Sequence, residues 1–133
     1  AMIEMEPVGL DDLTDYEKQL IVLYCAQTPD DVSIENVVRR VRAGHSIIGR
    51  LLGEGVSGIF ILSCGDDGYF LETVSGEGII KNFEEIYEII RNVAMEAGVD
   101  TLYSYVNRPG LKRCYERWTN AKPVATLYRE DLK

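Results

Sequence analysis

One loop in this sequence combines residue types and spacing that could do chemistry, and it lies just before a segment with helical periodicity. The loop is Ser75-Gly76-Glu77-Gly78-Ile79-Ile80-Lys81-Asn82, and Asn82 stands at the expected start of the helix. Glycines let a backbone approach a ligand closely, and the amide groups of a helix N-terminus attract anions. The composition fits a phosphate-binding loop, although a tight β-turn explains a lone Gly-x-Gly equally well. Glu77 adds negative charge between the glycines, which disfavours an anion.

The cysteines and the histidine form no recognisable reactive or metal-binding pattern. The three cysteines have no paired spacing, so the sequence predicts neither a disulfide framework nor a zinc site. Cys64 ends an apolar run and Cys114 lies on an apolar helix face, and we interpret both as small core residues. The single histidine, His45, is not tied by spacing to a thiol or a carboxylate, so we expect it to be structural or merely exposed. We expect no bound metal ion.

Length and composition indicate one compact domain. The chain has 133 residues, 46% of them apolar, and we expect a single domain over residues 2–133. A net charge of -8 argues against nucleic acid and anionic membranes as partners, because phosphate contacts need clustered Lys and Arg. The nearest basic cluster, Arg39, Arg40 and Arg42, is interpreted as the solvated face of a helix. We expect no signal peptide and no membrane span, and reduced thiols suit a cytoplasmic location.

Hydrophobic periodicity and turn residues predict six strands and four helices. The predicted strands span residues 2–8, 46–52, 56–63, 69–75, 101–106 and 124–129. The predicted helices follow Thr14, Ser33, Asn82 and Arg108, and they end before Pro29, at Gly44, at Gly98 and near Trp118. Residues 59–62 are apolar without alternation, which indicates a strand buried on both faces and helices on both sides of the sheet. The strand, helix and strand over residues 69–106 predict a parallel crossover.

Specific expectations follow for the caps and faces of these helices. Thr14 with Glu17, and Asn82 with Glu85, have the spacing of a capping box. Ile90 continues the apolar stripe of the third helix, so we expect its side chain in the core. The expected buried face of the first helix consists of Tyr16, Leu20, Leu23, Tyr24 and Gln27.

The order of these elements resembles the GNAT superfamily of acyl-CoA N-acyltransferases over nearly the whole chain. The resemblance implies an α+β or α/β fold with a GNAT-like mixed sheet, helices on both faces and one parallel crossover. It also implies that backbone amides around Gly76, Gly78 and Asn82 hold the pyrophosphate of acetyl-CoA. An acidic adaptor with an unrelated α+β fold would lack the parallel crossover.

The resemblance also implies roles for three further residues. Asn107 resembles an Asn that the family carries at the end of the fifth strand, on the cofactor side. Tyr115 resembles a Tyr that the family carries on the next helix. That Tyr protonates the departing CoA thiolate. Glu72 would then take the proton of the acceptor amine, directly or through water. The alternatives are a half-buried structural tyrosine at position 115 and a solvated glutamate at position 72.

Several positions depart from the family pattern. The usual Arg or Gln before the glycines is absent, Trp118-Thr119-Asn120 replaces a Gly-Phe, and the tail has room for one strand instead of two. A narrower resemblance accounts for these departures. Residues 32–132, with their Arg108-Pro109-Gly110 turn, look like the small GNAT-like proteins encoded among phage and prophage structural genes.

The narrower resemblance implies a function through protein contacts. In this hypothesis acetyl transfer is weakened or lost, the partners are phage structural proteins, and the location is cytoplasmic or virion-associated. The alternative is an active acetyl-CoA-dependent N-acetyltransferase that transfers an acetyl group to an amine substrate.

Overall fold

A computed structural model describes residues 2–28, 32–106 and 108–132 of the chain. The elements in chain order are β1 (Ile3–Pro7), α1 (Asp15–Gln27), α2 (Ile34–Arg42), β2 (Ser46–Gly53), β3 (Val56–Cys64), β4 (Tyr69–Glu77), α3 (Phe83–Glu96), β5 (Leu102–Ser104) and α4 (Pro109–Trp118), with a short 3-10 turn at Leu10–Asp12. Within the described ranges, no helix is both long enough and apolar enough to cross a bilayer.

The strands form one mixed sheet in the order β1-β2-β3-β4-β5. The strands β1 to β4 pair antiparallel with their neighbours, whereas β5 lies parallel to β4. The helix α3 connects these two parallel strands, so the predicted crossover and fold class are confirmed. β5 pairs with β4 over Leu102–Ser104, while β4 continues to Glu77. The later part of β4 is therefore not paired with β5.

The central strand β3 is buried on both faces. Phe60 and Leu62 belong to the apolar cluster that includes residues of α3 and α4. Ile59 and Ile61 belong to a second cluster that includes residues of α1 and α2. All four side chains are almost completely buried. One strand is thus covered by two helical layers, as its unbroken apolar run predicted.

The crossover helix α3 buries the predicted stripe. Phe83, Ile86, Ile90 and Ala94 are buried along one side of the helix. The side chain of Ile90 is 1% exposed, which confirms the predicted phase of this helix. Met95, on another side of the same helix, is exposed.

The first helix buries a face that overlaps the predicted one but is rotated from it. Leu20 and Ile21 are buried, whereas Tyr16 and Leu23 are 38% and 52% exposed. The prediction is confirmed at Leu20, and Tyr24 is partly buried against the same cluster. It is wrong at Tyr16, Leu23 and Gln27, because apolar spacing alone ignored a charged residue that this helix turns toward the sheet.

That charged residue is Glu17, which is buried and bound to Arg50 of β2. Two guanidinium nitrogens of Arg50 donate to the two carboxylate oxygens of Glu17, over 2.6 Å and 2.7 Å. The Thr14 amide donates to the same carboxylate and the Thr14 hydroxyl accepts from the Glu17 amide, so the predicted capping box is confirmed. A buried carboxylate must keep its donors, and this requirement fixes the rotation of α1.

The second helix has its predicted cap, and two of its three arginines are solvated as predicted. The Ser33 side chain caps α2 as predicted, and Val37 is buried. Arg39 and Arg42 are exposed, in agreement with a solvated face. Arg40 instead reaches toward the sheet and pairs with Glu72 of β4.

The predicted last strand does not form. Residues 124–129 have no secondary structure, and Val124 and Tyr128 are 77% and 88% exposed. The strand predicted at 101–106 is shortened to Leu102–Ser104. The prediction for residues 124–129 is wrong because strand propensity is realised only where a neighbouring strand supplies hydrogen-bond partners.

Truncation of Ile90 should remove packing from the middle of the core. We expect Ile90→Ala to lower the free energy of unfolding by about 2–5 kcal/mol, since it deletes a buried side chain and leaves a cavity. Urea denaturation measures the change. The matched control is Met95→Ala on the same helix, for which we expect a change within about 0.5 kcal/mol. A loss below about 1 kcal/mol for Ile90→Ala would contradict the observed packing.

Protonation of Glu17 should weaken the fold. The hydrogen bonds from Arg50, together with those from Thr14, hold the pKa of the Glu17 carboxyl below its ordinary value. Stabilisation from a lowered pKa is complete above the ordinary glutamate pKa and is lost as the pH falls through the folded-state pKa.

We therefore expect Glu17→Gln to reduce the free energy of unfolding at neutral pH. The difference from the wild type should shrink below about pH 4, because the wild-type carboxyl is then protonated as well. Denaturant titrations at several pH values measure this difference. Glu88→Gln, at an exposed position of α3, is the control and should leave stability unchanged. A difference for Glu17→Gln that stays constant down to acid pH would refute the assigned role of this carboxylate.

Candidate functional site

Glu72 lies at an irregularity in β4 that redirects its side chain. Ile61 of β3 faces Thr73, but the next residue, Leu62, faces Leu71, so Glu72 has no partner across the strand pair. An unpaired extra residue of this kind is a β-bulge, which bends a strand and re-aims a side chain. Sequence reasoning had left the facing of Glu72 open, and the bulge explains why alternation could not settle it.

The carboxylate of Glu72 accepts hydrogen bonds from three side chains. Arg40 donates through Nη2 over 2.7 Å, Tyr24 donates through its hydroxyl over 3.0 Å, and Ser63 donates through its hydroxyl. The hydroxyls of Ser63 and Ser46 are 2.6 Å apart, and both serines are buried. We call these five residues the Glu72 cluster; they join α1, α2, β2, β3 and β4.

Electrostatics keeps the neighbours of Glu72 in their protonated forms. Burial, reinforced by the charge of Glu72, raises the pKa of Tyr24 far above its ordinary value. The same causes raise the pKa of the Cys25 thiol. Tyr24 therefore stays a hydrogen-bond donor, and Cys25 stays a thiol and not a thiolate nucleophile.

Sequence reasoning missed the partners of Glu72. Tyr24 lies 48 positions and Arg40 lies 32 positions from Glu72 along the chain, so no local spacing connects them. The sequence signal for this cluster is weak, because the helix patterns predict a buried face for Tyr24 and a solvated face for Arg40. Only the packing of both helices on the same sheet face brings the three side chains together.

The glycines of the predicted phosphate loop serve the packing of β4 against β3. Gly76 and Gly78 have φ values of 137° and 75°, in the region that side chains rarely adopt. A Cβ atom on Gly76 would collide with the carbonyl oxygen of Ser57, and one on Gly78 with that of Gly55. The Gly-x-Gly therefore meets the needs of strand packing without any ligand.

The predicted capping box at Asn82 and Glu85 is absent. The Asn82 side-chain nitrogen donates to the Gly78 carbonyl over 2.8 Å, and the Asn82 side chain does not cap α3. The Glu85 carboxylate accepts from the amide of Ile3 in β1 over 2.9 Å. This prediction is wrong because both side chains find partners outside the first turn.

Part of the loop backbone is also occupied by internal hydrogen bonds. The amides of Asn82 and Phe83 donate to the carbonyls of Gly78 and Ile80 over 3.2 Å and 3.4 Å. A cleft of about 210 Å³ lies beside this turn, lined by Lys81, Asn82, Phe83, Glu84, Glu85 and Trp118. The start of α3 therefore has space for a small group, with one lysine and two glutamates around it.

Tyr115 is 8% exposed and packs inside the α3–α4 layer. Its ring contacts those of Phe83 and Tyr87, with centroids 5.2 Å and 5.3 Å apart, and its hydroxyl donates to Ser104 Oγ over 2.7 Å. Burial raises the pKa of Tyr115 above its ordinary value, although the Ser104 hydroxyl partly offsets this effect. Asn107, the other half of the predicted pair, lies outside the described residues.

The structure does not bring the two predicted catalytic residues together. Glu72 contacts residues of α1 and α2, whereas Tyr115 packs with α3 and hydrogen-bonds to β5. The two side chains thus belong to opposite layers of the sheet.

The predictions for two cysteines have different outcomes. Cys114 is buried as predicted, whereas Cys64 is exposed at the end of β3, so the prediction that Cys64 is a core residue is wrong. His45 is exposed.

No family model matches the sequence. No curated protein matches it significantly. Solved structures do match. An aminoglycoside acetyltransferase from an uncultured soil metagenomic sample aligns over 98% of this chain and 97% of its own, with 13% identity and a TM-score of 0.67. A ribosomal-protein-alanine N-acetyltransferase from Brucella melitensis biovar Abortus 2308 aligns over 98% of this chain and 100% of its own, with 14% identity and a TM-score of 0.63.

A third structure is a GNAT family acetyltransferase from Elizabethkingia anophelis with acetyl-CoA bound. It aligns over 86% of this chain and 71% of its own, with 13% identity and a TM-score of 0.54. Structural similarity at this low sequence identity is evidence for the fold alone, and here it extends over most of the chain. The sheet order, the parallel crossover and these structures together show that the chain has the fold of the GNAT acetyltransferases.

Proposed function

We propose that this chain is a GNAT-fold protein of the phage and prophage type, with weakened or lost acetyl transfer, that works through contacts with other proteins. The observation that carries the proposal is the engagement of Glu72. A general base must reach the proton that it abstracts. The carboxylate of Glu72 is instead held by Arg40, Tyr24 and Ser63, and its side chain is 9% exposed.

The glycine loop supports the same proposal. Gly76 lies close to Ser57 of β3 and Gly78 lies close to Gly55 of the β2–β3 turn, and two amides of the loop are bound within it. Glu84 and Glu85 line the neighbouring cleft and repel the phosphates of a nucleotide, with only Lys81 to oppose them. The negative net charge of the chain disfavours such a ligand further.

The environment of Tyr115 also supports weakened chemistry. A general acid must meet the leaving group, but the Tyr115 hydroxyl donates to Ser104 and its ring is packed between aromatic neighbours. A raised pKa means that proton donation by this phenol is less favourable than by an exposed tyrosine.

Exposed apolar side chains support action through protein contacts. Tyr105, Trp118, Leu127 and Tyr128 are all exposed, and three of them are aromatic. Large aromatic side chains are enriched at protein interfaces. In this proposal the partners are phage structural proteins, and the location is cytoplasmic or virion-associated.

The second candidate is an acetyl-CoA-dependent N-acetyltransferase acting on an amine. It is favoured by the cleft at the start of α3, where a helix N-terminus and Lys81 offer a place for a phosphate. The Elizabethkingia anophelis structure, which shares the fold, contains acetyl-CoA. In this alternative Lys81 and the first amides of α3 hold the cofactor, and Tyr115 protonates the thiolate after leaving Ser104.

Titration calorimetry with acetyl-CoA separates the two candidates. We expect a dissociation constant weaker than about 1 mM, because the loop offers few free donors and the protein is acidic. We also expect no CoA release in a thiol-detection assay with mixed amine acceptors. Binding in the low micromolar range that excess CoA abolishes would overturn the proposal.

The control for that titration is Lys81→Ala. Lys81 is exposed, so its removal leaves the core intact while it withdraws the cleft's positive charge. If acetyl-CoA binds and Lys81→Ala weakens it, the cleft is the cofactor site, and Tyr115→Phe then tests the general acid. Substitution of Gly78 is unsuitable here, because a side chain would strain the β3–β4 packing whether or not a ligand binds.

A double-mutant cycle tests whether Glu72 is a structural partner of Arg40. We expect Arg40→Met to destabilise the fold, because it leaves the Glu72 carboxylate in place without its cation. The double variant Arg40→Met with Glu72→Gln should recover part of the loss, with a coupling energy of about 0.5–3 kcal/mol in urea denaturation. The control is Arg39→Met on the same helix, which should show no coupling with Glu72→Gln. Additive effects at positions 40 and 72 would contradict a structural pair.

A further inference from the structure

The solvent side of α1 differs in composition from that of α3. Residues 19–27 of α1 contain no charged side chain, yet Val22 and Leu23 are 48% and 52% exposed. The solvent side of α3 instead carries Glu84 and Glu88. A surface helix normally has charged or polar residues opposite its buried face. The outer face of α1 thus has the composition of a surface that another element covers.

The exposed side chains of α1 include a stripe along the helix. Tyr16, Gln19, Leu23 and Gln27 follow one another at intervals of three or four residues, which places them on one face, and all four are exposed. Two helices pack together through stripes of this spacing. Leu23 lies midway between the two glutamines, whose amide groups both donate and accept hydrogen bonds. The stripe is therefore complementary to a copy of itself that runs in the opposite direction.

Charges of opposite sign lie at the two ends of this helical layer. Asp11 and Asp12 are exposed in the 3-10 turn before α1. Arg39 and Arg42 are exposed in the last turn of α2, and residues 36–53 contain no Asp or Glu. Among the described residues, none of these four side chains forms an ion pair. Their charges are therefore available to a partner.

Contacts with the sheet locate both ends of the layer relative to α1. Arg40 and Tyr24 donate to the same oxygen of Glu72, over 2.7 Å and 3.0 Å, so the last turn of α2 lies beside the second half of α1. The first turn of α1 lies elsewhere on the sheet, where Glu17 binds Arg50 of β2. A two-fold rotation that brings two α1 helices together antiparallel therefore brings the acidic end of each copy toward the basic end of the other.

We propose that two copies of this chain associate through the outer faces of α1 and α2, with Leu23 of each copy near a two-fold axis. Apolar side chains leave water at the centre of the contact, and opposite charges meet at both ends. The arginines matter because the net charge of -8 otherwise makes two copies repel each other. This inference goes beyond the proposed function and does not depend on whether acetyl-CoA binds.

Sedimentation equilibrium of the full chain over a range of concentrations tests the proposal. We expect a dimer with a dissociation constant of about 10 μM or tighter. Leu23→Glu should raise this constant by about tenfold or more, because two identical carboxylates would then face each other across the axis. The matched control is Met95→Glu on α3, where the side chain is 53% exposed, and this variant should remain dimeric. Circular dichroism checks that each variant is folded.

Charge-reversed chains test how the two copies are arranged. Asp11→Lys with Asp12→Lys makes both ends of the layer basic, and Arg39→Glu with Arg42→Glu makes both ends acidic. Each of these double variants should be monomeric alone, since like charges would meet at both ends. Their equimolar mixture should form a heterodimer, which should dissociate as the salt concentration rises.

Three results would overturn the proposal. One is a wild-type chain that stays monomeric at about 100 μM. Another is a dimer that survives Leu23→Glu in a folded chain, because α1 would then not be the contact. The third is a mixture of folded charge-reversed chains that forms no heterodimer. If Leu23→Glu does not fold, the charge-reversed chains decide the question, since their substitutions lie at exposed positions.

Discussion

Burial of β3 on both faces is the constraint on which the rest of this fold depends. A strand with apolar side chains on both sides leaves no solvent face, so each side of the sheet needs its own helical layer. The chain supplies α1 and α2 before the sheet for one side, and α3 and α4 after it for the other. The parallel pairing of β5 follows, because a helix that crosses from β4 must return the chain in the same direction.

The two layers are held to the sheet by different interactions. On the α1–α2 side, two ion pairs join a helix to a strand. They are Glu17 of α1 with Arg50 of β2, and Arg40 of α2 with Glu72 of β4. On the α3–α4 side, apolar side chains of both helices pack in one cluster with those of the sheet, and the rings of Phe83, Tyr87 and Tyr115 pack together within the helical layer. The ion pairs select one rotation of α1 and α2, whereas the apolar packing of α3 and α4 removes their surface from water. Glu72 and Tyr115, the two predicted catalytic residues, each take part in these contacts.

Most of the fold could be predicted from the sequence, because its signals are local. The hairpins, the double burial of β3, the stripe of α3 and the cap at Thr14 each depend on residues a few positions apart. The phase of α1 could not be predicted in this way, since Arg50, the residue that fixes it, lies on another element. The facing of Glu72 depends on a bulge that has no sequence signature. The strand at 124–129 failed for a related reason, because a strand exists only with a partner.

The site was harder to predict than the fold. Gly76 and Gly78 are predicted to approach a pyrophosphate, and the structure shows that they approach the carbonyl oxygens of Ser57 and Gly55. A glycine pair indicates that another group approaches the backbone closely, but the sequence does not identify that group. Tyr115 and Glu72 were each plausible alone, and only the three-dimensional arrangement shows that the sheet lies between their layers.

The unequal edges of the sheet, charged at β1 and uncharged at β5, also limit how far the sheet can grow by edge-to-edge pairing. A sheet that accepts strands on both sides can grow without end, as fibrils do. Here Glu4, Glu6 and Pro7 close one side, so growth can proceed from β5 alone. Among the described strands, pairing of two sheets through β5 occupies that edge on both copies, so edge pairing of this kind adds no third copy. Glu4, Glu6 and Pro7 thus act against growth of the sheet from the β1 edge.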